Sequence, residues 1–599
     1  MKKNSIKLFL AAALALTFTA CMNLDPIDPN QTQMTEDNQS QIIEALFNKL
    51  YCAFVQTGQN GGGGDADIIT DDEGYCGFYR TLCVLNEFPT DAGWWTWRGD
   101  AGCSDLLFIA WNPANSFVSK LYNRLNYAVT MSNLYLDQTE GTTDPELIHK
   151  RAEVRFIRAI NYYHLLDMFG NVPFTVTIST ENPEQIDRAS LYAWLVDEID
   201  GGHTGKTYLN HKTGEPLKSY KVTGDADHGF LQDLYDRDQT SLYRATKPAA
   251  YMLLARLYLN AEVYAGKAEW AKAEEAADNV IAKFPTLHPV YAQIFMGDND
   301  VSSREEMVFL AACDGQHLRS YAGSQYTICS TRNTKMNPCG SSNNSWGCWR
   351  TSPELVAKFG NFQGKTPAQI IALGGAYDEF DMPAIAGDDR AMFSATNINP
   401  DDGSLNIKGF AGLVPDNGDG FDSCWAICKW TNLYSTEFDG TLHPLNDGHA
   451  APQHDPSFTD ADVPIMRTAE AFMTRAEARY RQGKNAEALA DVNAIRTRAH
   501  ATPLASLNDD ELLDEWLREF YHEGRRRIDL IRFGQFVGPT ATRTWEGRGA
   551  TKTGDMKSYI DLNTWNTEVR PLDKKFELYP IPEGDIVANS NLVQNDGYK

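Results

Sequence analysis

The sequence predicts a mainly α-helical protein of tetratricopeptide-like repeats combined with an irregular, loop-rich module. Two stretches, 247–285 and 469–499, each place small alanines among bulky residues on both sides of a glycine turn. Each has about the length of a tetratricopeptide unit, roughly 34 residues. One such unit leaves an apolar face uncovered, so we expect several to stack, including helices predicted at 41–56, 115–137 and 146–169.

The helix predicted at 146–169 shows this periodicity clearly. Its apolar residues recur three or four positions apart, as at Tyr162, Leu165 and Phe169, and Gly170 then supplies a stop signal. These residues predict an amphipathic helix with one buried stripe.

A further helix is predicted at 511–533, and it contains a run of three arginines, 525–527. Glu515, Glu519 and Glu523 lie on the same predicted helix, so ion pairing within the helix explains the arginines better than a binding patch.

Two stretches lack helical periodicity. Residues 311–464 are rich in Gly, Asn, Asp, Ser, Cys and Trp, and predict loops with short strands such as 326–330 or 425–430. A second loop at 57–113 contains a glycine run and crowded aromatic residues. We therefore divide the chain into a helical region at 41–310 that carries the loop 57–113, a loop-rich module at 311–464 and a helical C-terminal region at 465–599. Loops held by a rigid scaffold commonly carry function.

The N-terminus predicts export. Basic Lys2 and Lys3 precede an apolar run at 6–18 and then Ala20 and Cys21, which is typical of a secretory signal peptide. A cysteine at this point resembles a bacterial lipobox, so we expect residues 1–20 to be cleaved, Cys21 to be lipidated and 21–40 to form a tether. The alternative is a plain signal peptide with a chance cysteine. Since no later stretch has the roughly 18 apolar residues of a membrane helix, the sequence predicts anchoring without crossing.

Composition narrows the classes of function. The 599 residues are 42% hydrophobic, enough for a large globular core. A formal charge of −26 with no Lys/Arg run argues against nucleic acid as a partner. No pair of cysteines has CxxC spacing and none groups with histidines, so no zinc site is predicted.

Two acidic pairs raise the question of a calcium ion. Asp298 and Asp300 share an i, i+2 spacing, which Asp460 and Asp462 repeat. A structural Ca²⁺ near Asp298 and Asp300 is one interpretation, because Ca²⁺ prefers carboxylate oxygens. The full calcium-loop pattern with its distal glutamate is absent, so a solvated acidic loop is favoured and no cofactor is predicted.

Three long segments of the chain are distinctive: AEVRFIRAINYYHLLDMFGNVPF at 152–174, EWLREFYHEGRRRIDLIRFGQF at 515–536 and YPIPEGDIVANSNLVQNDGYK at 579–599. They resemble the RagB/SusD family of outer-membrane glycan-binding lipoproteins. The resemblance covers the whole chain. It implies about four tetratricopeptide-like helix pairs with the irregular region packed on one side, a lipid anchor in the outer membrane at the cell exterior, a TonB-dependent transporter as partner, and binding without catalysis.

Within that family, the loops are most similar to those of the starch-binding member. The similar segments are GFYRT at 77–81, NEFPTDAGWWTW at 86–97, RSYAGSQYTICSTR at 319–332 and NNSWGCW at 343–349. The resemblance implies a malto-oligosaccharide site, with an aromatic arc and a hydrogen-bonding arginine. Carried over by motif, these residues are Trp95, Trp97, Tyr321, Trp346 and Arg80.

One residue departs from the pattern. Asp100 stands where the starch-binding member has an asparagine. A carboxylate accepts hydrogen bonds but lacks the donor of an amide, so a polar contact to the glycan is altered here.

The residue types also point to a glycan without any relative. An aromatic ring suits the apolar face of a neutral sugar, and Trp95 and Trp97 share a face if their segment is extended. The alternative for any single tryptophan is core packing. Tyr326 could take the role of Tyr321, and Arg80 could equally serve a structural ion pair.

Three functions remain open at this stage. The first is a lipid-anchored protein that captures starch-like α-glucan at the cell surface and delivers it to a transporter. The second is a glycoside hydrolase, which needs two carboxylates roughly 5 to 10 Å apart. The third is a helical-repeat scaffold that binds only protein, which leaves the tryptophan-rich loops unexplained.

Overall fold

A computed structural model describes residues 38–58, 67–68, 74–95, 102–220, 227–331, 346–366, 369–370, 372–373, 381–394, 425–435, 458–545, 548–549 and 571–598. The chain divides into two compact units, Met1–Leu46 and Phe47–Lys599. The described residues of the first unit, 38–46, include the beginning of the first helix. The features below lie in the second unit.

Helices dominate the described residues, which confirms the predicted fold class. In chain order they are α1 Gln39–Cys52, α2 Phe78–Glu87, α3 Cys103–Leu107, α4 Ser116–Gln138, α5 Pro145–Phe169, α6 Arg188–Asp200, α7 Lys247–Leu259, α8 Ala261–Ala265, α9 Trp270–Lys283, α10 Asn299–Ser302, α11 Ser324–Thr331, α12 Pro353–Val356, α13 Asp381–Ala386, α14 Thr468–Arg481, α15 Asn485–Arg498, α16 Asp509–Phe520, α17 Arg526–Arg532 and α18 Glu583–Ala588.

Long helices that follow one another in the chain pack together in pairs, as a repeat stack requires. Helix α4 packs on α5, α7 on α9 and α14 on α15, while α9 also contacts α14 and so joins two pairs that are distant in sequence. Local signals set the helix ends. The side chain of Asn115 accepts hydrogen bonds from the N–H groups of Phe117 and Val118, and Asp144 caps α5 just before Pro145.

The predicted helix 511–533 is wrong in one respect, because the structure splits it into α16 and α17. Tyr521 is extended, and His522 and Gly524 have positive φ angles of 66° and 74°. The N–H groups of Gly524 and Arg525 then donate to the buried carboxylate of Glu87, at 2.9 and 3.1 Å. A partner far away in sequence therefore compensates the backbone groups that the break exposes.

The ion pairing predicted within that helix is also mostly wrong. Arg525, at the N-cap of α17, does pair with Asp529 of that helix, but it pairs with Glu470 as well. Arg526 pairs with Asp91 and Arg527 with Asp167. The three arginines therefore tie α17 to other elements.

The strands are short and all pair antiparallel. They are β1 Trp94–Trp95 with β5 Trp349–Arg350, β2 Val172–Phe174 with β3 Glu184–Ile186, β4 Met307–Ala311 with β8 Val463–Arg467, and β6 Phe393–Ser394 with β7 Ala426–Ile427. Of the two strands predicted from sequence, 425–430 contains β7, whereas 326–330 lies in α11 and that prediction is wrong. In the β4–β8 pair, Ala311 is the register partner of Val463. The loop-rich segment therefore leaves and rejoins the scaffold at adjacent positions.

An ionic network lies in the core around α16. Glu519, which is fully buried, accepts from Arg467 at 2.7 Å, from Arg390 at 3.2 Å and from Arg498. Burial raises the pKa of Glu519, but the guanidinium groups of Arg498 and Arg467 outweigh it and hold the pKa at about 2. The glutamates of α16 therefore fix β8, α15 and the segment before β6 to one another.

The acidic pairs do not form the solvated loop expected from the sequence. Asp298, Asp460 and Asp462 are buried, and each accepts a backbone N–H: from Ser435, Gly315 and Cys313 respectively. Asp300 accepts from the hydroxyl of Tyr243 at 3.0 Å. Protein donors engage these carboxylates, and within the described ranges no group of three or more His, Cys, Asp or Glu residues is arranged to hold a metal ion. Asp298 therefore links the start of α10 to the loop at 425–435, and Asp460 and Asp462 link the residues before β8 to those that follow β4.

Candidate functional site

Two of the loop segments chosen from sequence lie against each other. The N–H of Arg80 donates to the carbonyl of Ala322 at 3.0 Å. Gly74, with φ of 76°, and Gly77 lie against the segment 321–322 so closely that a Cβ on Gly77 would be 2.0 Å from that of Ala322. Glycine at both positions allows this approach. The start of α2 and the segment that carries Tyr321 therefore form one tightly packed unit.

The close approach predicts that Gly77→Ala lowers affinity at the glycan site expected from the sequence, because the new methyl group must push the segment at 321–322 away from α2. Overlap of this kind typically costs about 1–3 kcal/mol. Titration calorimetry with a malto-oligosaccharide and thermal unfolding measure the two effects. Gly584→Ala is the matched control, since no described atom lies within 4 Å of the place its new methyl group would take. Unchanged melting and affinity in the Gly77 variant would show that the contact is unimportant.

Tyr321 and Trp346 form a partly exposed aromatic pair. Their ring centroids are 6.0 Å apart at an interplanar angle of 39°, and Tyr321 also contacts Phe458 at 5.1 Å. The N–H of Trp346 donates to the carbonyl of Cys329 at 2.7 Å, which holds its backbone to α11. Both residues retain solvent-facing area. The structure thus brings together two of the four arc residues predicted from sequence.

Trp95 lies in the interior, so its place in the glycan-contacting arc implied by the resemblance is wrong and the core-packing alternative holds for it. Its side chain is 3% exposed and stacks on Phe88 at 5.1 Å and on Tyr326 at 6.1 Å between centroids. The pairing of β1 with β5 places Trp95 opposite Trp349, which contacts Phe88 and Tyr326 as well. Phe88, Tyr326 and Trp349 therefore enclose Trp95 in a buried aromatic cluster.

Arg80 is buried between two tyrosines. Its guanidinium lies 4.4 Å from the ring centroid of Tyr75 and 4.8 Å from that of Tyr326. Such cation–π contacts favour a fixed position for the planar group. Tyr326 itself is 1% exposed, so it belongs to the interior, and of the two tyrosines weighed for the arc Tyr321 is the accessible one.

Three predicted site residues lie outside the described residues: Trp97, Asp100 and Cys21. The structure adds residues that the sequence did not indicate. Phe458 supports Tyr321, and Phe88 and Trp349 support Trp95. A lone phenylalanine in a loop-rich stretch carries no sequence signal of such a role, because only the tertiary contact defines it.

Glu87, at the end of α2, predicts a pH dependence of stability. Burial raises the pKa of its carboxyl from 4.5 to about 7, against N–H groups and Lys429 that lower it. The folded state therefore keeps a proton that the unfolded state releases above about pH 4.5. Stability from this group is fully present below pH 4.5 and declines as the pH rises through 7, by about 3 kcal/mol in all.

We expect Glu87→Gln to remove this decline, because the amide oxygen still accepts from the turn at 524–525 and carries no charge. Denaturant unfolding of both proteins at pH 5 and pH 8 measures it, with exposed Glu262→Gln as control. An equal pH dependence in wild type and the Glu87 variant would contradict the assignment.

Comparison with known proteins agrees with this architecture. The SusD family pattern matches residues 305–598. The starch-binding protein SusD of Bacteroides thetaiotaomicron is 35% identical over the full length of both chains. The chain belongs to the SusD family.

Other members of the SusD family are more distant. SusD-like protein P25 of Formosa agariphila is 22% identical, over 80% of this chain and 79% of its own. The crystal structure of a SusD-like carbohydrate binding protein from Bacteroides fragilis superposes with a TM-score of 0.62 at 15% identity, covering 93% of this chain and 99% of that one. A second SusD-like protein from the same species gives 0.60 at 18% identity, covering 94% and 99%. These structures share the fold.

Proposed function

We propose that this SusD family protein binds starch-like α-1,4-glucan at the cell surface, without hydrolysing it, and delivers it to a TonB-dependent outer-membrane transporter. The full-length relative named for starch binding supports the substrate class. The observation that carries the proposal is the partly exposed pair of Tyr321 and Trp346 on a rigid support. Ring faces of this kind contact the apolar faces of sugar units and leave their hydroxyls to water.

The site combines a contact layer with a supporting layer. Tyr321, Trp346 and Trp97 supply the rings that stack on glucose units. Trp95 supports them from the aromatic cluster around Phe88 and Tyr326. Buried Arg80 belongs to the same supporting layer, between its two tyrosines. Asp100 accepts hydrogen bonds from sugar hydroxyls.

Incubation of the soluble protein, from Met22 onward, with soluble starch tests the proposal. Retention of the protein on starch without release of reducing sugar supports capture. Release of reducing sugar would favour a hydrolase with the same aromatic platform. Absence of binding to any glucan would leave the protein-binding scaffold as the better account.

Attachment to the outer membrane through Cys21 is part of the proposal. Within the described residues no helix is long and apolar enough to cross a membrane. We expect Cys21→Ala to leave the membrane fraction, since stable anchoring takes more than one acyl chain and this variant carries none. Detergent-free fractionation measures the partition, with Cys52→Ala as the matched control. Unchanged membrane association of the Cys21 variant would exclude the anchor.

The helical stack is the proposed docking surface for the transporter. Repeat stacks present extended faces that suit protein partners. Substitution of exposed residues on α9 should lower co-purification with the transporter and leave glucan affinity unchanged. Loss of glucan affinity in such a folded variant would contradict this division of roles.

A further inference from the structure

A cavity of about 50 Å³ with a mixed apolar and polar lining lies among the helices of the scaffold, and neither Tyr321 nor Trp346 lines it. Residues of α2, α5, α7, β8, α14 and the turn between α16 and α17 surround it. Apolar atoms contribute most of its lining, and the charged or titratable side chains that face it include His164, Arg256, Arg467, Glu470, Glu523 and Arg525. The cavity therefore lies where members of three helix pairs and the turn at 521–525 meet.

The charged groups of the lining are already paired with one another. Arg256 donates to both oxygens of Glu470 at 2.7 Å, and Arg525 donates to the same carboxylate at 3.0 Å. Arg467 donates to Glu523 at 2.8 Å. These bonds compensate the charge of the lining, so the cavity does not attract an ion strongly.

His164 is the exception among the lining groups. Its side chain is 4% exposed, and neither ring nitrogen has a hydrogen-bond partner among the described residues. Burial and the neighbouring Arg256 lower its pKa to about 3, so the ring is neutral at pH 7. A neutral imidazole has one N–H donor and one lone pair, and leaving both unmatched in the interior is costly.

The chemistry of that ring selects the class of ligand. An anion accepts the N–H and leaves the lone pair unmatched, whereas a metal ion takes the lone pair and leaves the N–H unmatched. Water donates and accepts. Both ring nitrogens are enclosed in the orientation shown. Turning the ring by 180° exchanges each nitrogen for a carbon at nearly constant shape, and it is this turned orientation that presents a nitrogen to water in the cavity. Since one water occupies roughly 10–15 Å³ of such a volume, several fit.

We propose that this cavity binds a small cluster of ordered water molecules, with His164 as a polar anchor. The cluster bridges α5, α7 and α14 to the turn at 521–525, where direct side-chain contacts leave a gap. It is thus a built part of the repeat stack and independent of glucan binding.

A crystal structure of the wild-type protein grown with sodium bromide tests the proposal. We expect non-anomalous density about 2.7–3.2 Å from a ring nitrogen of His164. His522 provides an internal comparison, because it is 1% exposed and its ring nitrogens have no hydrogen-bond partner among the described residues. Its ring centroid lies 3.5 Å from that of Trp349, and the residue does not line the cavity. No density is expected there. An empty cavity, or an anomalous bromide peak inside it, would overturn the proposal.

Solution measurement on a variant gives a second test. His164→Phe keeps a ring of similar size and removes both polar atoms, so oxygen-17 water relaxation should count fewer long-lived waters than in wild type. An unchanged count in the folded variant would overturn the assignment to His164. If the variant fails to fold, the wild-type density decides.

Discussion

Arg467→Met should lower the free energy of unfolding by about 3–5 kcal/mol, because it leaves a group of buried carboxylates without their shared cation. Arg467 is 1% exposed and donates to Glu306 at 3.0 Å, to Glu519 at 2.7 Å and to Glu523 at 2.8 Å. Methionine fills part of the volume but matches none of these acceptors. Guanidinium unfolding of the chain from Met22 onward at pH 7.5 measures the loss.

Arg304→Met is the control for that substitution. Arg304 is exposed and lies just before β4, so its change should stay within about 0.5 kcal/mol of wild type. Equal stability of the two variants would show that the buried carboxylates do not depend on Arg467.

Trp346→Ala should weaken binding of a cyclic malto-oligosaccharide about tenfold, equivalent to about 1.4 kcal/mol, while the protein stays folded. The residue is partly exposed and its ring contacts Tyr321, so its removal takes away one ring of the proposed sugar-stacking pair and opens no enclosed cavity. Trp97→Ala should act in the same way. A curved aromatic platform also predicts tighter binding of cyclic and long α-glucans than of short ones, and poor binding of the straight β-1,4 chain of cellohexaose.

Titration calorimetry of wild type and both variants with the cyclic glucan and with cellohexaose measures this. Tyr251→Ala, a partly exposed tyrosine on α7, is the matched control and should leave affinity unchanged. Equal affinity for the two sugars, or loss of the circular dichroism signal in the variants, would contradict the platform.

The repeat helices were predictable because their apolar spacing is a local property. The break between α16 and α17 was not, since it depends on Glu87, which meets the turn from 437 positions away in sequence. The partners of Arg526 and Arg527 are also hundreds of positions away. The glutamates close to these arginines in sequence favoured ion pairs within one helix. In the folded chain, Asp91 and Asp167 lie nearer to the arginines than those glutamates do.

The aromatic residues of the candidate site were also only partly predictable from the sequence. An aromatic residue in a glycine-rich loop predicts either a ligand surface or a core contact, and sequence does not separate the two. Tyr321 and Trp346 remain partly exposed, whereas Phe88 and Tyr326 enclose Trp95. The close approach of Gly77 to Ala322 was also invisible, because it depends on two segments that are distant in sequence.

The pairing of Ala311 with Val463 has a consequence for how such a protein can change its ligand. Neighbouring antiparallel strands lie only about 4.8 Å apart, so both ends of the segment between them are fixed at one point of the scaffold. Loops of that segment can be lengthened or shortened while the helices that flank it keep their positions, provided that Arg390 keeps its contact with Glu519. A chimera that carries residues 312–462 of another family member, with matched residues at its contacts with α2 and α16, should therefore test transfer of sugar preference while the flanking helices are kept.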